Sequence, residues 1–88
     1  MEFRWNEWNV VHATRHGVSV EEIEALISAA RPPFPEARGD EKWLVQGRGM
    51  GGRLIQVVYL MDDDESIYVI HARVLTDFEK RRYRRRLR

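Results

Sequence analysis

Three consecutive strand candidates in the second half of the chain constrain its fold more than any other feature. They span 43–48, 53–61 and 66–74, and each is rich in β-branched or aromatic residues. The Gly-rich stretch GRGMGG joins the first two, and the acidic stretch DDDE joins the last two. Connections this short suit hairpins, whereas parallel strands need a crossover of about a dozen residues or more. The sequence therefore predicts an antiparallel meander.

Helix-start signals surround this meander. Asn6 is a good N-cap for a helix over 7–15, which Gly17 ends. Ser19 and Glu22 form a capping box at the start of a second helix, which Pro32 stops. Thr76 and Glu79 form a capping box that opens a C-terminal helix. Alternation at Phe3 and Trp5 predicts a short first strand, and 32–41 reads as a polar loop. The predicted fold class is α+β, a small antiparallel sheet packed by helices in the order β-α-α-β-β-β-α.

Length and composition limit the chain to one domain over 1–88 with a modest core, because 43% of its 88 residues are apolar. The chain has no cysteine, which excludes disulfides and thiolate metal sites and suits a reducing cytosol. No apolar run approaches the roughly 20 residues of a membrane span, and the first residues do not resemble a signal peptide. We therefore expect a complete, cytoplasmic protein that makes no membrane contact.

Charge is distributed very unevenly along the chain. Lys80 to Arg88 hold seven of the fifteen basic residues and no acidic one, so this segment carries +7 and residues 1–79 carry −6. A basic helix end of this kind attracts phosphate. It is equally well explained as a solvated helix terminus. The sequence leaves both interpretations open.

The last strand candidate places His71 and Arg73 at alternate positions, with Ile67 and Val69 before them. If Met61 pairs with Ile67, this face coincides with the face of the preceding strand that carries Arg53, Ile55, Val57 and Tyr59. A register shifted by one residue would separate the two sets, and the sequence does not decide between the registers. We predict the first register, in which His71, Arg73 and Arg53 face one solvent cleft.

Such a face carries the groups that metal-free RNA cleavage requires. The reaction needs a base for the 2′-hydroxyl, an acid for the 5′-oxygen and cations for the charged phosphorane. Histidine titrates in a suitable range, and arginine binds phosphate as a bidentate fork. The alternative is that His and Arg occupy a strand end merely because water reaches it.

Two other signals point away from a cofactor. GRGMGGR lacks the Lys-Ser/Thr ending of a P-loop and joins two strands, so a hairpin turn explains it better. His12, His16 and His71 are too dispersed in the sequence to suggest a metal site. We predict neither a cofactor nor a bound metal.

The chain resembles the BrnT family of ribonuclease toxins along nearly its whole length. The segments that carry the resemblance, in order, are FRWNE, RHGVSVEE, DEKW, GGRLIQVVY, IHAR and FEKRRY. The resemblance implies a RelE-like microbial RNase fold and RNA cleavage without metal, in the toxin half of a type II toxin–antitoxin pair. It also implies neutralisation by BrnA, a ribbon-helix-helix antitoxin, with operator DNA bound only through that partner.

Residue by residue, the family's motif positions fall on His16, Gly52-Arg53, Ala72-Arg73, Glu79 and Tyr83. The chain departs from the family pattern at four positions: His71 stands in place of Ser, Val74 in place of Lys, Asn6 in place of Asp and Asn9 in place of Lys. The departures at positions 71 and 74 could move the acid–base group or weaken the enzyme.

The sequence thus predicts an endoribonuclease toxin. Arg53 and Arg73 are the candidate phosphate ligands, and His71, Glu79, Tyr83 and His16 are the acid–base candidates. The candidate RNA-binding residues are Arg48, Lys80, Arg81, Arg82, Arg84 and Arg85. The alternative is a non-catalytic module that binds nucleic acid or the antitoxin through its basic C-terminal helix.

Overall fold

A four-stranded antiparallel sheet and three helices form an α+β fold in the computed structural model, which describes residues 1–87. In chain order the elements are α1 (Glu7–Thr14), α2 (Val20–Ser28), β1 (Glu36–Ala37), β2 (Lys42–Arg48), β3 (Leu54–Met61), β4 (Ile67–Val74) and α3 (Asp77–Arg86). The strands are arranged in the sheet in the order β1-β2-β3-β4. Arg88, the last residue of the predicted basic segment, lies outside the described residues.

The predicted meander is confirmed, with each long strand within one residue of its expected bounds. β2 pairs with β3, and β3 with β4, in antiparallel register. The Gly-rich turn uses Gly52 at φ +82°, a backbone conformation that glycine adopts without steric cost. The acidic turn closes through the Asp62 amide, which donates to the Ser66 carbonyl at 2.9 Å.

The predicted first strand is wrong. The N-terminal segment makes one isolated parallel bridge, between Phe3 and Ile67, with hydrogen bonds of 2.8 Å on either side of it. Asn6 caps α1 immediately afterwards, so the segment is too short to form a ladder. The loop predicted over 32–41 instead contains β1, which pairs with Trp43 and Leu44. The observed element order is therefore α-α-β-β-β-β-α.

Asn9 connects α1 to the edge of the sheet. It is fully buried, and its side-chain amide nitrogen donates to the carbonyls of Arg4 and Val69, both at 3.1 Å. Its side-chain oxygen accepts from the Asn6 amide, while Asn6 accepts from the Asn9 amide, which completes a capping box. A lysine at this position could not make these contacts, because its ammonium group has no acceptor and its side chain is too long for the buried site. The buried hydrogen bonds therefore require Asn at position 9.

The core lies between the sheet and the pair α1 and α2. The second helix, α2, contributes Ile23, Leu26 and Ile27, which recur at helical spacing and are buried. The sheet contributes residues that are fully buried or nearly so, among them Val45, Ile55, Val57, Tyr59, Ile67, Val69 and Ala72. This packing fixes the ends of β3 and β4, where the candidate site lies.

The third helix, α3, buries no residue completely and is attached through a few side chains. Its capping box of Thr76 and Glu79 is confirmed. Tyr83 stacks on Phe34 with ring centroids 6.1 Å apart, and Arg86 is ion-paired with Glu36. Within residues 1–87 no helix has the length and the apolar character needed to cross a membrane.

Candidate functional site

A β-bulge in β4 decides where the candidate site residues lie. Tyr59 pairs with Val69, but its neighbour Val58 pairs with His71, so Ile70 is the extra residue of the bulged strand. Beyond the bulge the side-chain alternation is shifted by one position. As a result Ala72 is fully buried, whereas His71 is only half-buried.

The predicted pairing of Met61 with Ile67 is confirmed, but beyond it the bulge contradicts the predicted shared face. Arg73 pairs with Gln56 and His71 with Val58, whereas the expected neighbours were Ile55 and Val57. Cross-strand partners project to the same side of a sheet, so the bulge turns both side chains away from the α1–α2 core. The prediction that they share a face with Arg53, which has the parity of Ile55, is wrong.

His71 lies beside a second histidine. Its ring centroid is 5.9 Å from that of His16, which follows the C-terminal end of α1, and the two rings meet edge to face. Burial lowers the pKa of His71 below its usual value of 6.5, and the positive charges of Arg73 and His16 lower it further. His71 is therefore predominantly the neutral imidazole at pH 7, the form that can accept a proton.

Arg73 is held in a fork by Glu79. Its Nη1 and Nη2 donate to the two carboxylate oxygens at 2.7 and 2.8 Å. The same carboxylate accepts from the Thr76 amide at 2.9 Å, so the helix cap and the ion pair share one group. The Arg73 hydrogen bond, followed by the Thr76 amide, lowers the pKa of Glu79 to about 2. So acidic a carboxyl is a weak base, which makes Glu79 better suited to orient Arg73 than to transfer a proton.

Arg53 contacts residues on the side of the sheet that α1 and α2 cover. Its Nη2 donates to Glu22 at 3.0 Å and to the Gly17 carbonyl at 3.3 Å. Glu22 is buried, and its second carboxylate oxygen has no hydrogen-bond partner among the described residues. The expected capping box at the start of α2 is therefore only half formed. Ser19 accepts from the Glu22 amide at 3.1 Å, but the Glu22 carboxylate is directed to Arg53.

Replacing Arg53 with Ala is expected to lower the free energy of unfolding by about 1–3 kcal/mol, because it leaves the buried Glu22 charge without its partner. Urea denaturation at pH 7 measures the effect. The double variant R53A/E22Q should recover most of the loss, because no buried charge then remains. Arg48→Ala is the control, since among residues 1–87 the Arg48 side chain donates only to the Gly52 carbonyl, at 2.6 Å, on the exposed turn. Equal losses for the two arginines would contradict the prediction.

The remaining predicted residues are dispersed. Tyr83 lies one helical turn beyond Glu79 and stacks on Phe34, with its ring partly buried. Lys80 lies 3.7 Å from Asp77, and Arg82 lies over the Phe78 ring at 6.0 Å. Arg81, Arg84 and Arg85 are exposed on α3. The structure thus brings together His71, His16, Arg73 and Glu79. Arg53 contacts the Gly17 carbonyl, next to His16, and the other candidates lie on the Gly-rich turn or on α3.

Two arginines were not anticipated from the sequence. Arg86 pairs with Glu36, and Arg38 lies 3.4 Å from the same carboxylate. Glu36 and Arg38 occur in the segment predicted to be a polar loop, and no local pattern relates them to a residue 50 positions later. A strand at 36–37 would have indicated that Glu36 lies at the edge of the sheet, near the end of the chain's last helix. A strand of two residues is too short to be recognised from side-chain alternation.

The acidic turn is occupied by protein contacts. Asp62 accepts from Arg4 at 2.8 Å and from the Ser66 hydroxyl at 3.0 Å, and the Arg4 hydrogen bond lowers the pKa of Asp62. Asp64 accepts from the Ser66 amide at 3.0 Å. Across residues 1–87 no group of three or more His, Cys, Asp or Glu side chains is arranged to hold a metal ion. Asp62 and Asp64 therefore have a structural role in the turn.

Comparison with protein-family models, with curated proteins and with solved structures finds no match for this chain.

Proposed function

We propose that this chain is a metal-independent endoribonuclease, the toxin of a type II toxin–antitoxin pair that a BrnA-like ribbon-helix-helix antitoxin neutralises. The observation that carries the proposal is the pair of imidazoles, His71 and His16, 5.9 Å apart beside the fixed guanidinium of Arg73. The His71 ring is half-buried and the His16 ring is exposed, so a substrate can reach both. The α+β architecture is compatible with the RelE-like fold that the resemblance implies.

In the proposed reaction, neutral His71 accepts the proton of a 2′-hydroxyl as its oxygen attacks the adjacent phosphorus. Exposed His16 donates a proton to the departing 5′-oxygen, and Arg73 stabilises the charge that develops on the phosphorane. The products are a 2′,3′-cyclic phosphate and a 5′-hydroxyl. Glu79 keeps Arg73 in place, and the free edge of the half-exposed Arg53 guanidinium could bind a flanking phosphate.

Purified protein, free of any partner, is expected to cleave single-stranded RNA equally well with and without EDTA. The proposed chemistry uses imidazole and guanidinium groups only, so chelation removes nothing that it needs. The measurement is an oligonucleotide cleavage assay in which mass spectrometry identifies the new 3′ end as a cyclic phosphate. Activity that EDTA abolishes and magnesium restores would refute the metal-free mechanism. Absence of cleavage under all conditions would favour the second candidate function.

The second candidate function is binding of a protein partner without catalysis. The observation that favours it is a groove of about 660 Å³ at the outer edge of β2, between α2 and α3. Along this edge β1 pairs only with Trp43 and Leu44. The outward backbone groups of Gln46 and Arg48 therefore face the groove, and no strand within residues 1–87 pairs with them on this side. An extended segment of the antitoxin could add there as a strand. Protection of the Gln46 and Arg48 amides from hydrogen exchange in the complex would support this function.

A further inference from the structure

The structure contains a small polar crevice between α3 and the face of the sheet that is opposite the α1–α2 core. It has a volume of about 100 Å³ and is lined by Arg38, Gln46, Gln56, Glu79, Arg82 and Arg86. Apart from one carboxylate, every lining residue carries a side-chain N–H donor. The crevice is distinct from the pair of imidazoles, although Glu79 contacts Arg73 and so adjoins both.

The charges around this crevice do not balance. Four guanidinium groups, those of Arg38, Arg73, Arg82 and Arg86, are matched by only two carboxylates, Glu36 and Glu79, which leaves an excess of two positive charges. Glu79 is fully engaged by Arg73 and the Thr76 amide. Arg38 and Arg86 share the single carboxylate of Glu36. Within residues 1–87 the Arg82 guanidinium lies over the Phe78 ring and is in no ion pair. Its N–H donors are therefore available to a ligand.

The floor of the crevice is also preorganised. Gln46 and Gln56 are directly paired across β2 and β3, and the Gln46 amide nitrogen donates to the Gln56 oxygen at 3.2 Å. This hydrogen bond fixes the Gln56 amide so that its nitrogen remains a donor. Two aligned amides under a ring of guanidinium groups form an environment that is rich in donors and poor in acceptors.

We propose that this crevice binds a phosphate group. An excess of two positive charges matches a phosphate dianion, and guanidinium and amide donors are the groups that coordinate its oxygens in fixed geometry. A volume of about 100 Å³ is sufficient for one such group and too small for a nucleobase with its sugar. The phosphate is either the terminal monoester of a nucleic acid, which is the dianion, or one of its backbone phosphodiesters, which carries a single negative charge. The proposal does not require that the chain cleave RNA.

The test is a titration of the full-length protein with inorganic phosphate at constant ionic strength, observed through the side-chain amide NMR signals of Gln46 and Gln56. Saturable shifts of both amides are expected. Arg82→Gln should raise the phosphate concentration for half-saturation about tenfold or more, since a charge-assisted hydrogen bond is lost. Arg81→Gln, which makes the same charge change at a neighbouring α3 residue that does not line the crevice, should leave it unchanged within about twofold, because the remaining long-range charge effect is screened.

Arg38→Gln provides an independent variant from outside the helix, and it should weaken binding as Arg82→Gln does. Two single-stranded RNAs of one sequence, with and without a 5′-phosphate, then identify the source of the group. A preference for the 5′-phosphate that disappears in Arg82→Gln assigns a terminal phosphate, and Arg82-dependent binding of both RNAs assigns the backbone. Linear, unsaturable shifts, or equal losses in Arg81→Gln and Arg82→Gln, would overturn the proposal and leave only diffuse attraction to a basic helix. Because this readout does not involve cleavage, it is independent of the proposed ribonuclease activity.

Discussion

Replacing His71 with Ala is expected to lower the rate of RNA cleavage about 10²–10⁴-fold, which is the usual contribution of a positioned general base. His71 is half-buried at the bulge, next to His16 and Arg73, and its lowered pKa makes the neutral form available at pH 7. The fold should survive the substitution, because the side chain contributes little to the core. The measurement is the single-turnover cleavage rate, with thermal unfolding as the check on folding.

His12→Ala is the matched control. His12 lies on α1, one turn before His16, but its ring stacks on the exposed Trp8 at 3.9 Å and its Nδ1 lies 2.7 Å from the Trp8 carbonyl. Its ring contacts are therefore with Trp8, and its removal should change the cleavage rate less than about threefold, because it has no role in the proposed reaction. Equal losses in the two variants, or full activity in His71→Ala, would exclude His71 as the base.

The pH profile gives a second check of the same role. A base must be deprotonated, so kcat/KM should fall with decreasing pH through the pKa of His71, and that limb should lie below the ordinary value of 6.5. The positive charge of Arg73 contributes to this low pKa, so Arg73→Gln should move the limb towards higher pH as well as slow the reaction. An unchanged limb in the Arg73 variant would assign the titration to another group.

The parts of the fold that the sequence predicted depend on local signals. The three long strands follow from β-branched and aromatic runs between short turns, and the helix starts follow from caps such as Asn6, Ser19 and Thr76. Each signal involves residues within about four positions of one another, because capping and turn formation are short-range interactions. The N-terminal strand was wrong for a related reason, since alternation over Phe3 and Trp5 cannot distinguish a strand from a single bridge.

The arrangement of the site was not predictable, because it depends on one extra residue. Alternation places Val69, His71 and Arg73 on one face, but the bulge at Ile70 keeps Val69 and Ala72 in the core and turns His71 and Arg73 to the other side. A small residue such as Ala72 fits equally well on either face, so composition gives no preference. The bulge reconciles a fully buried apolar face with two polar site residues on the same strand.

Long-range ion pairs were equally inaccessible. The structure pairs Arg53 with Glu22 and Arg86 with Glu36, over separations of 31 and 50 residues. Nothing in a single sequence relates such positions, because many other acidic residues would serve equally well. Arg73 and Glu79 are the exception. They are only six residues apart, and the capping box fixes Glu79 near the end of β4, although the sequence did not reveal that the two would pair.

Replacing Glu79 with Gln is expected to lower the free energy of unfolding by about 2 kcal/mol at pH 7. The pKa of Glu79 falls from 4.5 to about 2 in the folded protein. Each unit of that change corresponds to about 1.4 kcal/mol of linked stability, here discounted because the side chain remains partly exposed to solvent. A group with a depressed folded pKa stabilises the fold fully above its unfolded pKa, and the stabilisation is lost as the pH falls towards the folded pKa. The wild-type protein should therefore lose this stability between about pH 4.5 and pH 2, and Glu79→Gln should lose correspondingly less over that interval.

Asp77→Asn is the matched control. Asp77 is an acidic residue in the same first turn of α3 but is exposed, and its only ion-pair partner among residues 1–87 is Lys80, at 3.7 Å. Its removal should cost less than about 0.5 kcal/mol, as is usual for an exposed pair.

Glu79→Gln should also slow RNA cleavage although Glu79 transfers no proton, since Arg73 loses the fork that holds it beside His71. Urea denaturation between pH 2 and pH 7, combined with cleavage rates at pH 7, separates the two effects. If Glu79→Gln matches Asp77→Asn in stability and in rate, the fork neither stabilises the end of β4 nor positions Arg73 for the reaction.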